Sequence, residues 1–157
     1  MTDTIFVLNG PNLNLLGTRE PRIYGNQTLS DVEEMMEQRA KALKLKLDVR
    51  QTNHEGLLVD WLHEALAKAS AVIINAGGYS HTSIAIRDAV AALSIPVIEV
   101  HLTNIHAREG FRRTSFLSQV ARGSIVGLGP LGYLLALDAA SHLCKGAAAT
   151  QAKSQIQ

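Results

Sequence analysis

Five short β-rich runs alternate with helical patterns along nearly the whole chain, and that alternation constrains the fold more than any single motif. The runs are Thr4–Asn9, Lys46–Thr52, Ala71–Asn75, Pro96–His101 and Ser124–Leu128. Several are continuously apolar, as in Ala71-Val72-Ile73-Ile74, the pattern of strands covered on both faces. Between them Leu29, Val32, Met36, Ala40 and Leu43 recur at helical spacing, as do Leu58, Leu62, Leu66 and Ala69, and then Ala85, Ala89, Val90 and Leu93. Leu131, Leu134, Leu135 and the stretch Asp138–Cys144 give a last helix. Ser30 and Glu33 have the spacing of a capping box at the first helix start.

Strand followed by helix, repeated about five times, predicts an α/β fold with a parallel sheet, right-handed crossovers and helices on both faces. A five-stranded parallel sheet of this length is most simply a flavodoxin-like three-layer sandwich, strand order 2-1-3-4-5. The 157 residues suit one domain, expected over residues 1–145, with residues 146–157 as a poorly ordered tail of Ala, Gln, Ser and Lys. No apolar stretch approaches the roughly 20 residues of a membrane span. A net charge of +1 with no basic stripe gives no footprint for nucleic acid. The single cysteine, Cys144, excludes an intrachain disulfide and suits a reducing cytoplasm, the expected location.

In such sheets ligands bind beyond the carboxyl ends of the strands, where the strand order reverses. After strand 1 come Asn12, Arg19 and Tyr24, in a loop that has neither G-x-G-x-x-G nor G-x-x-x-x-G-K. A phenol is a poor base at its reference pKa of roughly 10. A guanidinium five residues away, in a water-poor site, favours the phenolate. Strand 3 ends in Asn75-Ala76-Gly77-Gly78-Tyr79-Ser80-His81, where small residues let a ligand approach the backbone. Strand 4 ends in Glu99-Val100-His101-Leu102-Thr103-Asn104, followed by Arg108 and Arg112. Glu99 and His101, two apart on a strand, point the same way, and a carboxylate beside an imidazole fixes its tautomer and favours its charged form. Spacing alone also fits a structural histidine with a surface glutamate. His81 suits either a helix cap or a hydroxyl contact, and Asp88 is a solvated residue unless a neighbouring subunit covers it. Glu99, His101, His81 and His106 have ligand chemistry, but no H-E-x-x-H and no cysteine pair accompanies them, so no metal is expected.

These motifs together resemble those of the type II 3-dehydroquinate dehydratases. The resemblance is carried by Leu8–Pro21 with Tyr24-Gly25, Asn53-His54-Glu55-Gly56, the stretch Asn75–Asp88, the stretch Glu99–Glu109, Phe111-Arg112, and Gly127-Leu128-Gly129 with Gly132-Tyr133. It covers about residues 4 to 144, in order. It implies a lyase without cofactor that dehydrates 3-dehydroquinate to 3-dehydroshikimate through an enolate. Carried onto this chain, Tyr24 is the base, Arg19 holds it as phenolate, and His101, oriented by Glu99, is the acid. Asn12 holds the water that steadies the enolate. The substrate carboxylate sits on Asn75 and the backbone amides of Leu102 and Thr103, while His81 and Arg112 grip ring hydroxyls. Asp88 reaches in from a neighbouring subunit, in a homododecamer built from trimers. The segment from Arg19 to Tyr24, flanked by Gly17 and Gly25, closes as a lid. Leu57, Gly110 and the pair Leu102-Thr103 depart from the family's common pattern without touching the acid or base. The resemblance fits the shikimate pathway of aromatic amino acid biosynthesis, and equally quinate catabolism.

Two other classes use this topology. A flavin or nucleotide module lacks its phosphate loop here and, at 4% aromatic residues, the rings to stack a flavin. A receiver-type signalling domain needs acidic residues at strand ends, where this chain has Asn9 and Asn75. Another lyase or isomerase acting α to a carbonyl remains the alternative within enzymes.

Overall fold

Successive residues of each strand go to opposite sides of the sheet, and here both sides are apolar. In the computed structural model, which describes residues 2–154, β1 (Thr4–Asn9) sends Ile5 and Val7 to one face and Phe6 and Leu8 to the other. β3 (Ala71–Asn75) and β4 (Val97–His101) do the same, with Ile73, Ile98 and Val100 on the first face and Val72, Ile74 and Val97 on the second. α2 (Leu29–Leu43) and α5 (Leu131–Ser154) cover the first face, and α3 (Glu55–Lys68) and α4 (Ile84–Ala91) the second. Fully burying each such aliphatic side chain contributes roughly 1.5–3 kcal/mol, so two covered faces supply most of the cohesion.

All strand pairs are parallel, in the order β2-β1-β3-β4-β5, where β2 is Lys46–Gln51 and β5 is Gly123–Val126. This is the expected flavodoxin-like sheet. Asn9 stands in register with Gln51 on one side and Asn75 on the other, so three strand ends finish together. Between β1 and β3 the backbones nearly touch: a Cβ on Gly10 would lie 2.5 Å from the carbonyl oxygen of Ala76.

Three local features depart from the sequence reading. α2 is capped two residues earlier than the Ser30–Glu33 spacing suggests. Thr28 Oγ1 accepts from the Asp31 N–H (3.1 Å), and Asp31 Oδ2 accepts from the Thr28 N–H (2.8 Å). Thr28 is extended, as a cap must be, and Ser30 already lies within the helix. The loop after β1 contains a single helical turn, α1 (Pro21–Tyr24), begun by proline at its first position. The last helix does not stop near Cys144 but runs on to Ser154, through Ala147, Ala148 and Ala149, which favour helix. The end of the expected tail, residues 155–157, lies outside the described residues. Among the described residues no helix is long and apolar enough to cross a membrane.

Candidate functional site

The polar residues at the strand ends converge on one cavity of about 110 Å³, lined among others by Asn12, Arg19, Tyr24, Asn75, His81 and His101. Leu102, Thr103 and Arg112 complete its wall. A larger groove of about 470 Å³ lies at the opposite end of β4, near Leu93, Pro96 and Leu143, and carries Arg122 as its one charged side chain. Size favours the groove, but the chemistry is concentrated in the smaller cavity.

β4 delivers a buried carboxylate–imidazole pair. Glu99 and His101 share the face of β4 that Val97 occupies, and His101 Nε2 lies 2.6 Å from Glu99 Oε1. Both side chains are buried. Ser124 Oγ donates to Glu99 Oε2 at 2.9 Å, and Ser115 Oγ donates to Oε1. Burial alone would push the Glu99 carboxyl up. Hydrogen bonds from His101, Ser115 and Ser124, with the nearby imidazole charge, outweigh it and hold the carboxyl below its ordinary range. An ionised Glu99 only accepts, so the proton between the pair sits on Nε2. Nδ1 is then the nitrogen of His101 left for a ligand.

His81 lies beside this ring, its centroid 5.9 Å from that of His101 and the planes 24° apart. Its Nδ1 is 2.8 Å from the Thr114 carbonyl oxygen, so Nδ1 must be the donor. Burial pushes the His81 pKa down, more than the bond to Thr114 raises it. A neutral His81 therefore has Nε2 as a hydrogen-bond acceptor.

Tyr24 closes α1 and turns its hydroxyl toward arginine. Arg108 Nη1 donates to the Tyr24 hydroxyl at 2.9 Å, and the Arg108 and Arg19 guanidinium carbons lie 5.4 Å and 5.5 Å from the ring centroid. The direct contact belongs to Arg108, whereas Arg19 sits over the ring and within 3.7 Å of Glu20. Two cations thus flank the phenol ring. Gly17 and Gly25, at the edges of this segment, have φ of 86° and 80°, and Glu20 between them has φ 43°. Three left-handed positions in nine residues make this a segment held by its context rather than by its own preference.

Backbone donors complete the wall. Among the described residues the N–H groups of Leu102 and Thr103 donate to no protein acceptor. Asn75 sits beside them, with its Oδ1 accepting from the Gly77 N–H at 3.2 Å. Asn12 adopts a left-handed φ of 68° and donates its N–H to Asn53 Oδ1 at 3.0 Å. Arg112 Nε is 3.1 Å from Glu109 Oε2 at the rim. The cavity can thus hold an anion, accept a proton on one wall and deliver one from the other. Asp88 is not among its lining residues: it is exposed on α4 and paired with Arg87 at 2.9 Å. Among the described residues no cluster of three His, Cys, Asp or Glu side chains could hold a metal ion.

The model of the dehydroquinase class II family matches residues 3–141. Similar proteins include 3-dehydroquinate dehydratases from Dinoroseobacter shibae, 59% identical over 85% of this chain and 89% of that one, and from Rhizobium johnstonii, 56% identical over 91% and 99%. This chain belongs to the class II dehydroquinase family. The type II dehydroquinase of Propionibacterium acnes, 45% identical, superposes with a TM-score of 0.87 over 90% of this chain and 98% of its own. The sequence reading singles out Tyr24, His101, Arg19, Asn12, Asn75, His81, Leu102, Thr103 and Arg112, which line this one cavity, and Glu99, which lies buried behind it and bonded to His101. It noted Arg108 but gave it no role, because nothing in the spacing distinguishes Arg108 from Arg112. Ser115 and Ser124 carry no local motif, and only the fold brings them to Glu99.

Proposed function

We propose that the protein dehydrates 3-dehydroquinate to 3-dehydroshikimate through an enolate intermediate. The observation that carries this is a phenol and an imidazole on one cavity, each with a charged partner suited to an opposite proton task. Tyr24, as phenolate between Arg108 and Arg19, takes the C2 proton, and the electron pair of that bond becomes the enolate. Asn12 holds the water that steadies the enolate oxygen. Collapse of the enolate forms the C1–C2 double bond and breaks the C1–oxygen bond. His101, taking part as the imidazolium, gives its Nδ1 proton to the departing hydroxyl, which leaves as water, and the ring is left neutral with its Nε2–H held by Glu99. The protons then redistribute between Tyr24, His101 and solvent, and no electrons are gained or lost.

Binding follows the donors. The carboxylate sits on Asn75 Nδ2 and the N–H groups of Leu102 and Thr103. His81 Nε2 accepts from a ring hydroxyl, and Arg112 donates to another. The segment between Gly17 and Gly25 closes over the substrate and removes water, which strengthens each of these charges. Asp88, exposed on α4, serves the cavity of a neighbouring subunit, in a homododecamer of trimers. The reaction belongs to the shikimate pathway in this reading, and the protein works without a cofactor. Comparing Tyr24→Phe and His101→Ala with the unaltered protein tests the roles. Each should lose most of kcat, and near-normal turnover by either would remove that residue from its role.

A further inference from the structure

Behind the cavity, three buried side chains form a hydrogen-bond chain with a fixed direction. The Gly77 N–H donates to Asn75 Oδ1 (3.2 Å), Asn75 Nδ2 donates to the Tyr133 hydroxyl (3.0 Å), and that hydroxyl donates to Asn9 Oδ1 (2.5 Å). The participants come from the ends of β1 and β3 and from the first turn of α5. Tyr133 and Asn9 are 0% exposed and Asn75 is 3% exposed. Burial pushes the Tyr133 phenol far up, so its hydroxyl keeps its proton. The direction is anchored at Gly77, because a backbone N–H can only donate. The Asn75 oxygen must therefore face Gly77 and its nitrogen must face Tyr133. The Tyr133 oxygen accepts, and its one proton is left for Asn9. At the far end Asn9 Nδ2 has no partner among the described residues, so the chain carries an unpaired buried donor.

Of this chain only Asn75 and Gly77 reach the cavity. One Nδ2 proton of Asn75 is held by Tyr133, and the other is available to a ligand. We propose that Tyr133 is a positioning residue, which with Gly77 holds the Asn75 amide so that an N–H and not the carbonyl meets the substrate carboxylate. Without that hydroxyl the Asn75 nitrogen loses its buried acceptor, and a single turn contact is left to fix the amide. A turned amide would present its oxygen to an anion, which repels it. Tyr133 thereby selects an acceptor group at this position without touching the substrate. The inference rests on the reading that Asn75 binds the carboxylate of 3-dehydroquinate.

A double-mutant cycle tests it: the unaltered protein, Tyr133→Phe, Asn75→Ala and the double variant, each measured for KM and kcat with 3-dehydroquinate and for Kd with quinate. Tyr133→Phe should raise KM and the quinate Kd about tenfold, equivalent to about 1.4 kcal/mol. Its kcat should stay within about threefold, because ground-state and transition-state binding of the carboxylate fall together. In the Asn75→Ala background the same change should raise KM no further. An unchanged KM, or an equal rise in both backgrounds, would overturn the proposal and leave Tyr133 a packing residue. If Tyr133→Phe does not fold, Asn9→Ala takes its place, since it frees the hydroxyl at the far end. It should raise KM less, and again only when Asn75 is present; no rise would overturn the proposal. An unaltered protein that neither turns over 3-dehydroquinate nor binds quinate would overturn the functional reading along with it. Normal turnover with an indifferent Tyr133→Phe would overturn this inference alone.

Discussion

Removing the Tyr24 hydroxyl would delete the proposed proton acceptor and leave the ring between its two guanidinium groups. Tyr24→Phe should therefore lower kcat by roughly 10²–10⁴-fold, the usual worth of a general base, with the quinate Kd changed little. Arg108→Ala should lower kcat as well, since it removes the Arg108 hydrogen bond to that hydroxyl, and Arg108→Lys should recover only part of it. A greater loss from Arg19→Ala than from Arg108→Ala would contradict the assignment of the direct contact. Glu99 supplies a second test, by pH. Its carboxyl is held below the ordinary glutamate value of 4.5, so the stability it contributes is full above that pH and is lost as pH falls through the folded-state value. Thermal unfolding from pH 6 to about pH 3 should show a fall in Tm that Glu99→Gln flattens. An identical pH slope in both proteins would remove the linkage. The pairing of Glu99 with His101 was legible from the sequence because the two share a face of β4 by alternation. Arg108 was not, because an arginine in a loop gains its meaning only from what the fold sets opposite it.

At the scale of elements, close approach of β1 and β3 decides where the cavity can form. A Cβ at Gly10 would meet the Ala76 carbonyl oxygen at 2.5 Å, backbone against backbone, with no flexible group to give way. Gly10→Ala should cost about 2–3 kcal/mol in urea unfolding, in the range of forced overpacking. A cost near zero would mean that the two loops are not held together. Gly17→Ala acts on the segment proposed to close over substrate: φ 86° and a Cβ 2.9 Å from the Asn26 carbonyl oxygen make that turn unfavourable. Its effect should appear mainly in KM and kcat, with a smaller loss of stability than Gly10→Ala. The strand runs Thr4–Asn9 and Ala71–Asn75 were readable to the residue because continuous apolar stretches end sharply in asparagine. The helix cap was misplaced by two residues because Thr28–Asp31 and Ser30–Glu33 both satisfy the pattern, and only backbone geometry separates them. The partnership of Tyr133 with Asn9, 124 residues apart, leaves no local trace in the sequence at all.

At the scale of the whole molecule, the proposed assembly would supply what one chain lacks. Asp88 faces outward on α4, so its proposed role requires a neighbour. Mixing unfolded Asp88→Ala and Tyr24→Phe chains and refolding them together should restore activity that neither has alone, because some cavities then combine an intact Tyr24 with a neighbour's intact Asp88. Activity no higher than the parents' would place Asp88 outside the site. The sheet order was legible because the number and spacing of strand–helix units leave few alternatives. Assembly was not, since an exposed aspartate reads the same whether solvent or another subunit meets it. The most direct measurement is of the reaction itself. Purified, EDTA-treated protein is mixed with 3-dehydroquinate, and the ultraviolet absorbance of the conjugated product is followed. Rapid growth of that absorbance is the predicted result. A folded, oligomeric protein that leaves the substrate unchanged would contradict the proposed function.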